Sequence, residues 1–225
     1  MQLEFFHDTI CSFCFPMSYK LREISKLNPR FEIIHRSFAL ALERQDLINM
    51  FGNLNEAKSE ILNHWEKANR TDPLHRFNIP GMLRADFEFP HSKPALLAAK
   101  AAGVIAGQEE YWDVFDALQH AMFVDSRNIA DVEIIKDIVA SVSINYTMWE
   151  REFVAPETEI LVQEDLMLAK KYRITGVPTL IVDKKYHING SLSIQQITAL
   201  LAEVENISRK EKSETYHDLA MSGIR

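Results

Sequence analysis

Two cysteines occur in the 225 residues, and they stand three apart, as Cys11 and Cys14 in the stretch HDTICSFCFPM. Scattered at random, two cysteines would take that spacing in roughly one arrangement in a hundred, so the pair asks for a chemical reading. A C-x-x-C can be a redox dithiol, half of a metal site, or two small packed hydrophobes. The thiolate is the reactive form, and a free thiol of pKa about 8.5 is only roughly 3% ionised at neutral pH. At a helix's first turn, unpaired N–H groups and the positive end of the dipole stabilise the anion. A pKa lowered to about 7 would ionise roughly half of such a thiol. Cys11, just ahead of the predicted helix, is then the more exposed nucleophile. Cys14, one turn in, resolves a mixed disulfide formed on Cys11.

A structural zinc site needs about four Cys or His ligands. The chain has no second C-x-x-C, and its eight histidines include no H-x3–5-H pair and no HExxH. A site made of Cys11, Cys14, His7 and a distant histidine, or one shared between two chains, is the weaker alternative. Neither a metal nor a bound cofactor is expected.

The pair sits where one element hands over to the next. LEFFHD (3–8) is short, apolar and aromatic, as a buried strand should be. Met17, Leu21, Ile24 and Leu27 fall at helical spacing over 15–27, and Pro16 suits a first turn, where a missing N–H costs nothing. A turn at 28–30 leads to a second strand, FEIIHRSFAL (31–40). From about 43 to 173 the strand signal nearly vanishes. Helical patterns cover 55–69, 93–106 after a capping Ser92, 108–123, 131–142, 146–154 and 156–173, with a Pro- and Gly-containing loop at 72–91. Strands return at PTLIVD (178–183) and YHIN (186–189). Gly190 breaks the pattern and Ser193 opens a last amphipathic helix, 194–207. The order strand–helix–strand, helical block, helix–strand–strand–helix is one α/β unit interrupted by an all-helical insertion. It divides into a discontinuous domain of 1–42 and 156–207, an insertion of 43–155, and a polar tail of 208–225.

Net charge −7 and a pI near 5.6 argue against nucleic acid or an anionic membrane as partner. No apolar run approaches the roughly 18 residues of a membrane span. The amino terminus lacks a basic region followed by a long apolar run, so the chain reads as cytoplasmic. In that reducing compartment a permanent structural disulfide is disfavoured, which favours catalysis or metal binding for the pair.

The first strand, CSFC with its helix, and the later ITGVPTLIV together resemble the thioredoxin superfamily. The helical interruption is similar to that of the DsbA-like group, and more narrowly of its cytoplasmic FrnE-like branch. HSKPALLAAKAAG, DVFDALQHAMF and YHINGSLS carry the likeness along nearly the whole chain to about 207. The resemblance implies an α/β thioredoxin-like fold with an all-helical insertion and thiol–disulfide exchange with protein substrates or a small thiol such as glutathione, by a monomer or homodimer. It implies Pro178 as a cis-proline facing Cys11 and Cys14 and keeping metals off them. Val177 and Thr179 then shape a docking strand, with Ser12 and Phe13 as further substrate contacts, Phe13 exposed between the cysteines. Asp8 matches an acidic position of the FrnE-like branch, and a buried Asp8 with a raised pKa would accept the Cys14 proton through water. As a turn residue it would instead bond backbone at the strand end. His7 is a second relay candidate and Glu4 a weaker one.

FrnE-like members usually carry a proline and an aromatic between the cysteines, where this chain has Ser12 and Phe13, so the potential does not carry over. The range from about −120 to about −270 mV spans about 7 kcal/mol. Against a reducing cytosol, reduction or shuffling of client disulfides is the expected direction. Two other classes compete. One is a thioredoxin-like adaptor that keeps the pair as a sensor. The other is a glutathione-dependent transferase or isomerase like the kappa-class enzymes, which carry a serine where this chain has Cys11. His64, His91 and His120 read as surface or satisfied helix residues, and Trp65, Trp112 and Trp149 as core anchors.

Overall fold

The computed structural model describes the backbone of residues 1–222 and the side chains of residues 1–210. Strand β1 (Gln2–His7) is followed by α1 (Cys14–Leu27) and β2 (Glu32–Ser37), and the chain returns to the sheet only at β3 (Thr179–Val182) and β4 (Tyr186–Asn189). The sheet order is β2-β1-β3-β4, with β1 parallel to β2 and antiparallel to β3, and β3 antiparallel to β4. The two ends of the chain thus build one sheet, and β1 lies inside it. That explains why β1 reads as a near-continuous apolar run.

Alternation along β1 sorts its side chains to two faces. Leu3 and Phe5 join the large core with Met17, Leu21 and Ile24 of α1, whereas Phe6 packs with Ile181 and Ala169 on the other face. Ala169 belongs to α9 (Pro156–Lys171), so α9 covers the face opposite α1. Between β2 and α9 run α2 (Arg44–Phe51), α3 (Leu54–Thr71), α4 (Ile79–Arg84), α5 (Lys93–Ala106), α6 (Gln108–Phe123), α7 (Val132–Ala140) and α8 (Tyr146–Phe153). Helix α5 is the hub of this block, packing on α6, α8 and α9. Its Ala95, Ala98, Ala99, Ala101 and Ala102 are fully buried, and their small side chains let the neighbours approach closely. Trp149 uses that closeness, its indole N–H reaching the Ala98 carbonyl at 2.9 Å. Trp65 and Trp112 are buried as well, and Trp112 ties α6 to α1 by donating to the Ser18 hydroxyl at 2.6 Å.

Three differences from the sequence reading have physical reasons. Helix α2 was not expected, because its start is a capping box of Glu43 and Asp46 and it buries only Leu47, leaving little periodic signal. Helix α4 lies inside the expected 72–91 loop, hidden by Pro80 and Gly81. Proline is at home in a first turn, and a Cβ on Gly81 would meet Asn78 Nδ2 at 2.4 Å and Ser126 Oγ at 2.5 Å. Helix α10 (Ile194–Ser222) runs on through the stretch read as a polar tail, because no Pro or Gly interrupts it.

Candidate active site

The β1–α1 connection carries the dithiol on a tight turn. The Cys11 N–H bonds the Asp8 carbonyl at 3.1 Å, and the Cys14 N–H bonds the Cys11 carbonyl at 3.0 Å. Helix α1 begins at Cys14 itself, so Cys14 occupies the first helical position instead of lying one turn in, and Cys11 precedes the helix by three residues. Both thiols are free. Cys11 is 4% exposed and Cys14 fully buried, so the order of accessibility is the expected one although neither is open.

The Val177–Pro178 bond is cis, and this loop meets the dithiol: the Cys11 thiol donates to the Val177 carbonyl at 3.5 Å. Thr179 turns inward, its hydroxyl 2.9 Å from both the Gly176 carbonyl and the Asn189 side chain. The Thr179 side chain is buried and braces the proline loop against β4. Ser12 is likewise buried, and Phe13, expected to be exposed, is half-buried against the main core. A cleft of about 370 Å³ borders Val177, Pro178 and Thr179 and reaches His187 and Asn189 of β4.

Burial pushes the Cys14 thiol well above its ordinary range. The Cys11 thiol and the Asp8 carboxylate push the same way, while a hydrogen bond from the Asp8 backbone opposes them. Asp8 is fully buried, and it bonds backbone at the strand end as a turn residue would. Its carboxylate accepts from Leu40 N at 2.6 Å, Ser92 Oγ at 2.7 Å and Ile10 N at 3.1 Å, so it staples the dithiol turn to the β2–α2 loop and to the start of α5. Burial still wins, and the carboxyl is raised from 3.8 to about 6 against those donors. Ser92, expected to cap α5, makes no capping bond because its hydroxyl serves Asp8.

A group whose folded value lies above its unfolded one adds stability that is fully present below the unfolded value and lost as pH rises through the folded one. Asp8 therefore favours the folded state below about pH 4 and loses that contribution through about pH 6. The urea midpoint of the reduced protein is expected to fall between about pH 4 and about pH 7 on this account. In Asp8→Asn the fall should shrink, while the variant is less stable throughout, because an amide presents a donor to one of the two backbone N–H groups. An unchanged slope would contradict this account of Asp8.

His7 is not placed to relay protons. Its ring lies on the α6 side of the sheet against Phe5, Tyr111 and Phe115, with Nε2 3.2 Å from Nδ1 of His35. Burial holds both rings well below the usual histidine range, with Lys100 adding to the effect on each. Among the described residues no hydrogen bond joins His7 to either thiol. Glu4 is also ruled out, because it faces α9 and is taken by Arg36 and Tyr172. Among the described residues no group of three or more His, Cys, Asp or Glu is arranged to hold a metal ion, and no helix is long and apolar enough to cross a membrane.

Sequence reasoning missed Leu40, Ser92 as a partner of Asp8, and Gln119. The last had a signal: Phe115, Leu118 and Met122 form the buried stripe of α6, and Gln119 is a polar residue inside it.

A family profile described as the DSBA-like thioredoxin domain matches residues 2–202. No curated protein matches the chain. Among solved structures, a candidate protein disulfide isomerase from Nitrosomonas europaea superposes with TM-score 0.72 at 19% identity, covering 90% of this chain and 96% of that one. The cytosolic disulfide reductase DsbM from Pseudomonas aeruginosa, also solved with GSH, gives 0.70 at 14% identity over 91% and 99%. A 2-hydroxychromene-2-carboxylate isomerase gives 0.64 at 12% identity over 95% and 98%. At these identities the likeness to the three structures is one of fold.

Proposed function

The chain belongs to the DSBA-like thioredoxin family, and from that premise we propose that it is a thiol–disulfide oxidoreductase working through Cys11 and Cys14. The observation that carries the reading is the meeting of two free thiols of unequal burial with the carbonyl before a cis-proline. Kappa-class-like transferases and isomerases carry a serine at the nucleophile position, so a cysteine there with a second, buried cysteine behind it favours exchange.

The Cys11 thiolate attacks a client disulfide, forming a mixed disulfide and releasing one client sulfur as a thiolate. Cys14 then gives up its proton and attacks Cys11 Sγ. The second client sulfur leaves, and a Cys11–Cys14 disulfide remains. The client gains two electrons, and two equivalents of a thiol such as glutathione return them to the protein. Asp8 is the buried base whose charge is felt at Cys14, which suits it to take the proton of the resolving step. Pro178 and Val177 supply the edge against which a client or glutathione docks. We place the activity in the cytosol, where that thiol is abundant, as for the reductase from Pseudomonas aeruginosa described as cytosolic.

Equilibration in glutathione buffers of graded ratio tests the reading. A single two-electron transition between about −120 and about −270 mV is expected. If the two cysteines form no disulfide at any ratio, the exchange reading fails.

A further inference from the structure

Gln119 is fully buried on α6, in the helical block and far in sequence from the dithiol. Its Nε2 lies 3.3 Å from the Asp8 carbonyl, 3.3 Å from the Thr9 carbonyl and 3.4 Å from the Cys11 carbonyl. One amide with two hydrogens therefore serves three carbonyls of the single turn that carries the nucleophile. Two of those carbonyls also take the turn's own N–H groups, from Cys11 and Cys14. Among the described residues no donor meets the amide's own Oε1, which is buried. A buried acceptor without a donor costs free energy, and a leucine or methionine would fill the same stripe position without that cost. Packing alone does not account for a glutamine here.

We propose that Gln119 is a positioning residue that sets the redox equilibrium of Cys11 and Cys14 from the insertion; the proposal rests on the exchange reading above. An N–H given to a carbonyl offsets the negative end of that peptide dipole and polarises the N–H across the same peptide. The peptide that joins Cys11 to Ser12 carries one of these carbonyls, so the Ser12 N–H becomes a stronger donor ahead of the helix. Both effects favour negative charge on Cys11. The reduced form can carry that charge and the disulfide cannot, so Gln119 shifts the balance toward the reduced protein. The reaction shifted is protein dithiol plus oxidised glutathione giving protein disulfide plus two reduced glutathiones.

The test compares Gln119→Met with the unaltered protein in glutathione buffers, alongside the rate of Cys11 alkylation by iodoacetamide at neutral pH and the urea midpoint. The reduced form of the Met variant should be about fivefold less favoured, a potential about 20 mV more negative, with alkylation slowed by a similar factor. Leu118→Ala, which opens a cavity one residue away, should lower the urea midpoint and leave the potential in place. Should Gln119→Met not fold, Gln119→Glu replaces it, and a carboxylate facing the three carbonyls should move the potential the same way, increasingly as pH rises. A folded Gln119 variant with unchanged potential and alkylation rate overturns the proposal. Failure of the unaltered protein to form the disulfide overturns the exchange reading, and the alkylation rates still judge Gln119.

Discussion

Cys11→Ser is expected to abolish disulfide exchange, with turnover on a small disulfide in the presence of glutathione falling at least about a thousandfold. Cys14→Ser should behave differently. Cys11 is the thiol with any exposed surface, and its sulfur meets the Val177 carbonyl beside the cis-proline. Cys14 is sealed beneath it and held protonated by burial, by its partner and by Asp8. The first half-reaction therefore survives without Cys14, and the second does not. Cys14→Ser should accumulate a one-to-one covalent adduct with glutathione or a client, seen as an added mass that dithiothreitol removes. Cys11→Ser should form none. If the chain were an adaptor, both variants would keep partner binding and neither would alter a catalytic rate, because the unaltered protein would have none. Equal adduct formation by both variants would show that the two thiols are interchangeable, which their unequal burial forbids.

The dithiol and its junction were legible from the sequence because each is a local pattern, whereas the cis bond before Pro178 came only through the resemblance of GVPT to thioredoxin-like chains. Spacing marks the cysteines, and a short apolar, aromatic run and helical periodicity mark β1 and α1. What surrounds the thiols was less legible, because it arrives from far along the chain. Asp8 could be singled out, but its partners Leu40 and Ser92 and the amide of Gln119 come from three other segments. Nothing local to any of them says that they converge. His7 misled for the opposite reason. It stands next to Asp8 in sequence, but its ring is packed into the core against Phe115 and Tyr111 of α6 and paired with His35, with no hydrogen bond among the described residues to either thiol. Charged residues were the least legible. Arg36, Lys100 and Asp165 look like ordinary surface charges in the sequence, yet they meet Glu4 in one network between the sheet, α5 and α9.

That network supplies the second large effect. Arg36 on β2 donates twice to Glu4 of β1, at 2.8 and 3.0 Å, and once to Asp165 of α9 at 3.2 Å. Asp165 also accepts the Ser37 N–H at 2.8 Å and is ion-paired with Lys100 of α5. The carboxylates of Glu4 and Asp165 are 1% and 4% exposed, whereas the Arg36 side chain is 30% exposed. Burial works against the Arg36 charge, but Asp165 and Glu4 outweigh it and hold the guanidinium above its usual range. The two carboxylates differ in what else they have. Asp165 keeps Lys100 and a backbone donor if Arg36 is removed, and among the described residues Glu4 keeps only the Tyr172 hydroxyl, at 2.9 Å. Arg36→Met should therefore cost about 3–5 kcal/mol in urea unfolding, the range found when a buried ion pair loses one partner. Most of that cost comes from Glu4 left uncompensated, not from the lost attraction, so adding Glu4→Gln should restore about 1–3 kcal/mol. A cost under about 1 kcal/mol for Arg36→Met would mean that water reaches Glu4 and that the network acts as a surface salt bridge. Additive losses in the double variant would place the effect in the packing of the Arg36 stem instead.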